Sequence, residues 1–364
     1  MAESFPTQPR FELPAQEPVS ARKTFLKFAL FTLAILCLIL GGLFAYKFTL
    51  SRTTSYTAQK RVMMGTVVEI TAYGTNAEDA VNAALDSMER VALLLDANNP
   101  KSEVSLINRM AGIASVAVSH DTFDVIYKSV KISNSLYGSF DISIGALTDL
   151  WSINQPNFIP PDHSQVKEAL KFVNSGLIEA DPEVETVKLP KRGMKLNLGG
   201  VGKGYVVSVG RNILILRGIT SALISTGSSI SCIGTRPDKT SWRVGVRSPR
   251  EEGKLLGVVL LSPGQALSTS GDYEQYKEID GKRYSHIIDP KTGYPVHTCQ
   301  AVTILSSNAT LADMLSTAVF VLGPSKGMQL IKALDGVEGL IIDANGVAHR
   351  SDGFVLEEDS AKER

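Results

Sequence analysis

The sequence predicts an α+β fold, and two observations lead to this class. Residues 77–96 carry apolar side chains at helical spacing, which places Val81, Leu85, Met88, Ala92 and Leu95 on one stripe. Residues 221–305 instead contain short runs that alternate or are continuously apolar between turn residues, as the strands of a sheet do. No internal repeat or low-complexity tract interrupts either region.

The first half of the predicted domain holds one strand and three helices. A run rich in β-branched residues predicts a strand at 65–73. The helical stripe follows it, and two further segments have helical character. The three helices are predicted at 77–96, 122–136 and 163–173.

The second half begins with a helix from Gly202 to Leu216, which Gly218 ends. Strands are then predicted at 221–233, 242–247, 255–261, 284–288 and 301–305. A helix at 309–322 should end at Gly323 and Pro324, because proline cannot continue a regular helix. Another helix to residue 334 and a strand at 340–342 complete the fold.

Composition argues against nucleic acid as a partner. The chain has 364 residues, with 37 Lys and Arg against 37 Asp and Glu, so its formal charge is zero. Nucleic-acid binding depends on clustered basic residues, and such a cluster occurs only beside the apolar segment described below. The three cysteines are far apart, which argues against a cysteine metal cluster. A disulfide between Cys232 and Cys299 and buried free thiols both remain open.

An apolar segment near the N-terminus predicts a membrane anchor. Residues 28–46 contain no charged side chain, and nineteen residues are long enough to cross a bilayer as a helix. Basic residues on both flanks favour a cytoplasmic N-terminus only modestly. A cleaved signal peptide is the alternative, but the small-residue cleavage pattern is poor. The part of the chain after this segment is therefore expected on the periplasmic side of the cytoplasmic membrane.

These features divide the chain into five parts. We predict a disordered cytoplasmic tail at 1–27, a transmembrane anchor at 28–46 and a linker at 47–60. A single folded domain is predicted at 61–345, followed by a polar C-terminal tail at 346–364.

The stretch from Lys195 to Ser208, KLNLGGVGKGYVVS, is the most informative local pattern. A strand leads through three glycines into a lysine and a helix, which brings backbone amides and a helix N-terminus to one place. A P-loop would need glycine at Asn197 and Ser or Thr after Lys203, and a dinucleotide fingerprint would need glycine at Tyr205. Phosphate binding and simple close packing remain the two interpretations of this segment alone.

Four further stretches occur around it in a fixed order. They are MGT at 64–66, FDISIGALTDLW at 140–151, the segment from STSGDYEQY at 268 through HIIDPKTGYP at 286–295, and ADMLSTA at 312–318. Together with the glycine-rich segment they resemble the ApbE family of FAD:protein FMN transferases, over roughly residues 61–343. The resemblance implies a bilobed catalytic domain related to the T-fold.

Asp313 and Thr317 are four residues apart in a predicted helix, so both side chains project from one face. A carboxylate and a hydroxyl suit a hard cation such as Mg2+, although the same pair is common on solvated helix faces. The resemblance implies that both bind Mg2+, with the main-chain carbonyl of Gly200 as the third protein ligand.

The resemblance also implies residues that contact flavin. They are Met64, Gly145, Ala146, Leu147, Asn197, Lys203, His286 and Ile287. Core packing is the alternative for Met64, Leu147 and Ile287, and a simple turn is the alternative for Gly145. The chain departs from the family at two places, because many relatives have Asp at Asn197 and Gly-Asp or Gly-Asn at Ser228-Ser229.

The implied reaction is attack of a Thr or Ser hydroxyl of a partner protein on the FMN phosphorus of FAD, with release of AMP. His286 is the candidate base, since imidazole titrates near neutral pH. Ser268, Thr269 and Ser270 are candidates for contacting adenine or phosphate, or they simply end a strand. The implied acceptor is a flavoprotein subunit of a membrane or periplasmic redox system. An FAD pyrophosphatase and a flavin-binding protein without turnover are the alternatives.

Overall fold

The computed structural model describes residue 27, residues 30–43 and residues 56–358. The chain separates into two units, residues 1–53 and 54–364. In the first unit, residues 30–43 form helix α1 with exposed side chains. Within the described ranges, no helix is both long enough and apolar enough to span a membrane. The remainder of the predicted anchor, at 28, 29 and 44–46, lies outside them.

The second unit contains seven further helices and fifteen strands among its described residues. The helices are α2 (Ala77–Leu95), α3 (Glu103–Arg109), α4 (His120–Ser133), α5 (Gly145–Trp151), α6 (His163–Leu170), α7 (Gly202–Leu216) and α8 (Ala309–Lys332). The strands are β1 (Tyr56–Met63), β2 (Thr66–Tyr73), β3 (Val116–Ala117), β4 (Glu179–Asp181), β5 (Thr186–Lys188), β6 (Ser221–Ser225), β7 (Ser229–Ile233), β8 (Trp242–Arg247), β9 (Leu255–Leu261), β10 (Ala266–Gly271), β11 (Tyr276–Ile279), β12 (Lys282–Ser285), β13 (Cys299–Ser306), β14 (Glu338–Asp343) and β15 (Ala348–Arg350).

Eight of these strands form one antiparallel sheet in the order β1-β2-β6-β7-β10-β13-β14-β15. Helices α2, α7 and α8 pack against it. The remaining strands form three small sheets, one of which is the β8–β9 hairpin. The predicted α+β class is confirmed.

Both faces of the large sheet are covered, and the side chains of β13 show why this is needed. All eight residues of β13 are buried. Val302 and Ile304 belong to the main core beneath the helices, whereas Ala301 and Leu305 belong to a second core with the β8–β9 hairpin. Because successive side chains of a strand point to opposite faces, apolar residues at adjacent positions of β13 supply both cores.

A third, smaller core lies under α5 and α6. It contains Leu147, Trp151, Ile153, Val166 and Ile288. The indole nitrogen of Trp151 donates to the carbonyl oxygen of Gly293 at 2.7 Å, which ties α5 to the loop after His286.

Helix α8 is interrupted where the sequence predicts a break. Gly323 has φ 75° and ψ 178°, which is not helical, and Pro324 begins the next helical segment. Glycine tolerates this backbone conformation because it has no Cβ. The predicted helix end and restart are confirmed as a kink.

Several predicted boundaries are wrong. Residues 56–60, predicted as linker, are part of β1, which is held by eight backbone pairings with β2. The predicted strand at 221–233 is two strands, β6 and β7, joined by a turn in which Gly227 has φ 81°. The predicted strand at 284–288 ends at Ser285.

The predicted polar C-terminal tail is also partly wrong. β15 at Ala348–Arg350 pairs with β14 at the edge of the large sheet. Phe354 is 1% exposed and belongs to the second core. The folded body therefore continues beyond residue 345, because one aromatic side chain and one short strand hold this segment against the sheet.

Candidate active site

A cleft of about 820 Å³ lies between the main core and the small core under α5 and α6. Its walls come from the β1–β2 turn, the end of α2, the start and end of α5, the glycine-rich segment, the end of β10, residues 286–290 and one face of α8. The predicted residues Met64, Asn197, Gly200, Lys203, His286, Ile287, Asp313 and Thr317 all line it.

Met64 occupies the tip of the β1–β2 hairpin. Met64 and Gly65 have φ of 52° and 69°, which is the backbone of a two-residue type I′ turn. The Met64 side chain lies against the glycine-rich segment, since a Cβ on Gly202 would be 2.9 Å from its Cε. The hairpin turn therefore presents a thioether at the cleft wall, 37% exposed.

Asn197 organises the start of the glycine-rich segment. Its Oδ1 accepts from the N–H of Gly199 at 2.8 Å, and its Nδ2 donates to Thr148 Oγ1 at 3.0 Å. An aspartate would lack the amide donor that reaches Thr148. The amide thus joins the glycine-rich segment to helix α5 across the cleft wall.

Lys203 lies in the first turn of α7, and its side chain is partly exposed in the cleft. Within residues 56–358, it forms no ion pair with a carboxylate, whereas the nearby Lys195 pairs with Asp149. The N-cap residue of α7, Val201, supplies no side-chain cap. A helix N-terminus and an unpaired ammonium group together favour an anionic ligand.

Asp313 is buried, at 4% exposure, on α8. Its Oδ2 accepts from the N–H of Gly204 at 2.8 Å, and its Oδ1 accepts from Ser268 Oγ at 2.9 Å and Ser229 Oγ at 3.2 Å. No Lys, Arg or His of the described chain forms an ion pair with it. A buried carboxylate without a cationic side chain is costly unless a cation is supplied from outside.

Thr317 and Gly200 meet beside Asp313. A Cβ on Gly200 would lie 3.2 Å from Thr317 Oγ1, so the main chain at Gly200 runs against that hydroxyl. Thr317 Oγ1 also lies 3.3 Å from Ser270 Oγ. The donor set of carboxylate, hydroxyl and main-chain oxygen consists of the hard oxygen ligands that Mg2+ prefers, so these residues fit the ion.

One ring nitrogen of His286 is hydrogen-bonded to the main chain. Its Nδ1 lies 3.2 Å from the carbonyl oxygen of Gln275, and a carbonyl can only accept, so Nδ1 carries the proton. In the neutral ring Nε2 then holds a lone pair. The pKa of His286 is lowered, first by burial of the ring and then by the positive charge of Lys203, so the neutral form is favoured.

Three predicted flavin contacts do not line the cleft. Gly145, Ala146 and Leu147 form the first turn of α5 rather than a loop. Glycine is needed at position 145 because the main chain of Lys195 packs closely against it: a Cβ there would be 2.6 Å from the carbonyl oxygen of Lys195. The Leu147 side chain is fully buried in the small core, so its role is core packing, the alternative interpretation given above. The neighbouring Ile144 and Thr148 line the cleft instead.

Two other residues of the site could not be recognised from the sequence. Gln275 acts through its carbonyl oxygen, which any residue provides, and Thr148 was recognisable only as the partner of Asn197. Among the serine and threonine candidates, Ser268 contacts Asp313, Ser270 contacts Thr317 and Thr269 bonds to Thr303 at 2.9 Å.

The fold and the cleft define an α+β protein with an anion position at a glycine-rich helix start and an oxygen-lined cation position on the facing helix. The chain belongs to the ApbE family, whose model matches residues 64–341. The resemblance inferred from the motifs is confirmed.

Curated relatives match most of the chain. It is 30% identical over 318 residues to the FAD:protein FMN transferase of Treponema pallidum, which covers 82% of this chain and 87% of that protein. It is 30% identical over 296 residues to an FAD:protein FMN transferase of Klebsiella pneumoniae, covering 81% and 90% of the two chains.

Solved structures are similar to this fold. The ApbE protein of Thermotoga maritima superposes with a TM-score of 0.77 and 31% identity, over 82% of this chain and 97% of that one. The flavin transferase ApbE of Vibrio cholerae has a TM-score of 0.74 at 24% identity, over 83% and 99% of the two chains, which supports the fold alone.

Proposed function

We propose that this protein transfers FMN from FAD to a Thr or Ser hydroxyl of a partner redox protein and releases AMP. The observation that carries the proposal is the convergence of Lys203, His286 and the Asp313–Thr317 face in one cleft. Membership of the ApbE family and relatives named FAD:protein FMN transferase support it. The volume of about 820 Å³ lies within the range of small-molecule sites.

The start of α7 would bind the pyrophosphate of FAD. Lys203 supplies a compact positive charge in the first turn of α7, at the positive end of the helix dipole. Met64, Asn197 and Ile287 line the walls on which the flavin part would lie.

Asp313, Thr317 and the carbonyl of Gly200 would hold Mg2+. When bound, the ion would neutralise charge on the pyrophosphate and polarise the phosphorus. Asp313 contributes the only full negative charge of this set, and its burial keeps water from competing for it.

His286 would accept the proton of the attacking hydroxyl at Nε2, since Nδ1 is occupied by the Gln275 carbonyl. The acceptor oxygen forms a bond to the FMN phosphorus, and the bond from that phosphorus to the bridging oxygen breaks. AMP leaves with the bridging oxygen and its electron pair, and the flavin remains linked to the acceptor through a phosphodiester.

We also propose that residues 28–46 anchor the protein in the cytoplasmic membrane, with the catalytic unit on the periplasmic side. The uncharged stretch of nineteen residues supports the anchor. The acceptor would then be a membrane or periplasmic redox subunit.

The direct test incubates the full chain in detergent with FAD, Mg2+ and a purified acceptor, and records the intact mass of the acceptor and the nucleotide products. We expect the acceptor mass to increase by one FMN group for each modified Thr or Ser, with one AMP released per FMN transferred. The matched control is the acceptor with that residue changed to Ala. Free FMN and AMP without labelling would replace the proposal by a pyrophosphatase, and unchanged bound FAD across several acceptors would replace it by a carrier.

A further inference from the structure

Two serines outside the predicted ligand set surround the buried carboxylate of α8. Ser229 and Ser268 are each fully buried, at 0% exposure. They are direct cross-strand partners in the register of β7 and β10, so their side chains lie side by side on the face of the sheet beneath α8. The register of the sheet therefore places Ser268 and Ser229 together beside Asp313.

The three oxygen atoms form a closed triangle. Ser229 Oγ and Ser268 Oγ are 2.8 Å apart, and they lie 3.2 Å and 2.9 Å from Asp313 Oδ1. Each hydroxyl donates one proton and an ionised carboxylate donates none. The two hydroxyl protons must therefore be shared among three oxygen–oxygen contacts. If both protons are donated within the triangle, at least one of them is donated to Asp313 Oδ1.

The two carboxylate oxygens of Asp313 are therefore not equivalent. Oδ1 faces two hydroxyls, whereas Oδ2 accepts only the N–H of Gly204 at 2.8 Å. Oδ2 keeps an acceptor position that the described contacts do not use. The hydroxyl pair also prevents rotation of the carboxylate, because rotation would break its bonds in a fully buried setting.

We propose that Ser229 and Ser268 are positioning residues that hold Asp313 with Oδ2 presented to a divalent cation. The inference rests on the proposed metal role of Asp313. It concerns hydrogen-bonded neighbours of a metal-binding carboxylate, whose loss generally weakens metal affinity by about 10- to 100-fold.

The test measures binding of Mn2+, as a spectroscopic substitute for Mg2+, to the EDTA-treated full chain by electron paramagnetic resonance, without flavin. Ser229→Ala and Ser268→Ala each should weaken Mn2+ affinity by about 10-fold or more. The double variant should weaken it by less than the product of the two effects, because the hydroxyls act through one oxygen. Ser231→Ala is the matched control: it is on β7, 1% exposed, and its hydroxyl contacts only the Gln265 carbonyl at 3.4 Å.

Melting temperatures in EDTA separate positioning from simple structural support. Affinities equal to wild type in both variants, with lowered melting temperatures, would overturn the proposal and leave the serines a packing role. Absence of Mn2+ binding in the wild type would also overturn it. The acceptor-labelling assay is scored separately, so transfer that persists without metal rejects the metal part of the proposed function, whereas unchanged affinity in the serine variants rejects this inference alone.

Discussion

Single residues in the cleft differ in whether the protein itself satisfies their charge. Some charged side chains of the cleft form ion pairs, as Glu274 does with Arg247 at 2.9 Å and Asp149 with Lys195 at 2.5 Å. Among the described residues, Asp313 and Lys203 form no such pair. One buried negative charge and one cleft-lining positive charge without ion-pair partners favour a ligand that carries both a cation and phosphate groups.

Asp313→Asn should lower kcat/KM for flavin transfer by at least about 10²-fold, the scale of losing one electrostatic group from an active site. The amide has nearly the shape of the carboxylate but lacks the charge that holds Mg2+. The increase in melting temperature that Mg2+ causes in the wild type should disappear as well. Asp335→Asn, at an exposed position outside the cleft, is the control. Wild-type activity in Asp313→Asn would disprove the metal assignment.

The acid side of the pH–rate profile should report His286. Its pKa is lowered from 6.5, so the neutral base is present above that lowered value and activity should fall as pH decreases through it. Lys203→Met removes one cause of the lowering, and the inflection should move to higher pH.

Three comparisons check this assignment in kcat/KM profiles. His286→Gln should lower kcat by about 10²- to 10⁴-fold and abolish the inflection. Lys191→Met changes an exposed lysine outside the cleft and should leave the inflection in place. An unchanged inflection in Lys203→Met would mean that another group titrates.

At the scale of elements, the site depends on how closely α7 approaches α8. Gly204 lies where the helices meet, and a Cβ there would be 2.3 Å from the carbonyl oxygen of Ala309 and 2.6 Å from Asp313 Cβ. A main-chain atom cannot move aside as the end of a side chain can. The glycine at this position therefore sets the distance between the anion position on α7 and the cation position on α8.

Gly204→Ala should destabilise the protein near the upper end of the usual overpacking range of about 1–3 kcal/mol, and it should abolish stabilisation by Mg2+. Gly210→Ala, in the same helix, is the matched control. Its Cβ would meet the Met88 side chain, 2.4 Å from Sδ, and methionine repacks more readily than backbone. Urea unfolding with and without Mg2+ measures both effects. Equal losses in the two variants would contradict a special role for Gly204.

At the scale of the whole molecule, the described residues that line the cleft all belong to the unit that spans residues 54–364. The lining residues lie between 62 and 317, and the strands that carry them belong to one sheet. The chemistry should therefore not require the preceding residues.

A fragment starting at Thr54 should keep kcat for a soluble acceptor within about 2-fold of the full chain, since changes far from a site and without shared partners act independently. Under the proposed localisation, the full chain should sediment with membranes and the fragment should not. Activity assays and membrane fractionation measure the two statements separately. Loss of activity in a fragment with an unchanged circular dichroism spectrum would show that the N-terminal residues contribute to the reaction.

Much of the architecture was predictable because it follows from short-range sequence patterns. The apolar stripe of α2, the glycine and proline at the α8 kink and the glycine-rich start of α7 are short-range patterns, and all three occur as predicted. The edge strands β1 and β15 were not predicted. β1 is largely exposed and mixes polar with apolar side chains, and β15 has only three residues, so pairing with the sheet and not composition defines them.

By itself the sequence determined the α+β class, the ApbE family and the residue types of the candidate site, because these depend on periodicity and on motifs within short stretches. Only the tertiary structure decided which of those residues share the cleft. It excluded the Leu147 side chain, brought Gly200 against Thr317, joined Ser229 and Ser268 to Asp313 and assigned the proton of His286 to Nδ1. The physical reason is that these relations arise from sheet register, helix packing and main-chain carbonyl groups, which join residues far apart in the chain and leave no local pattern.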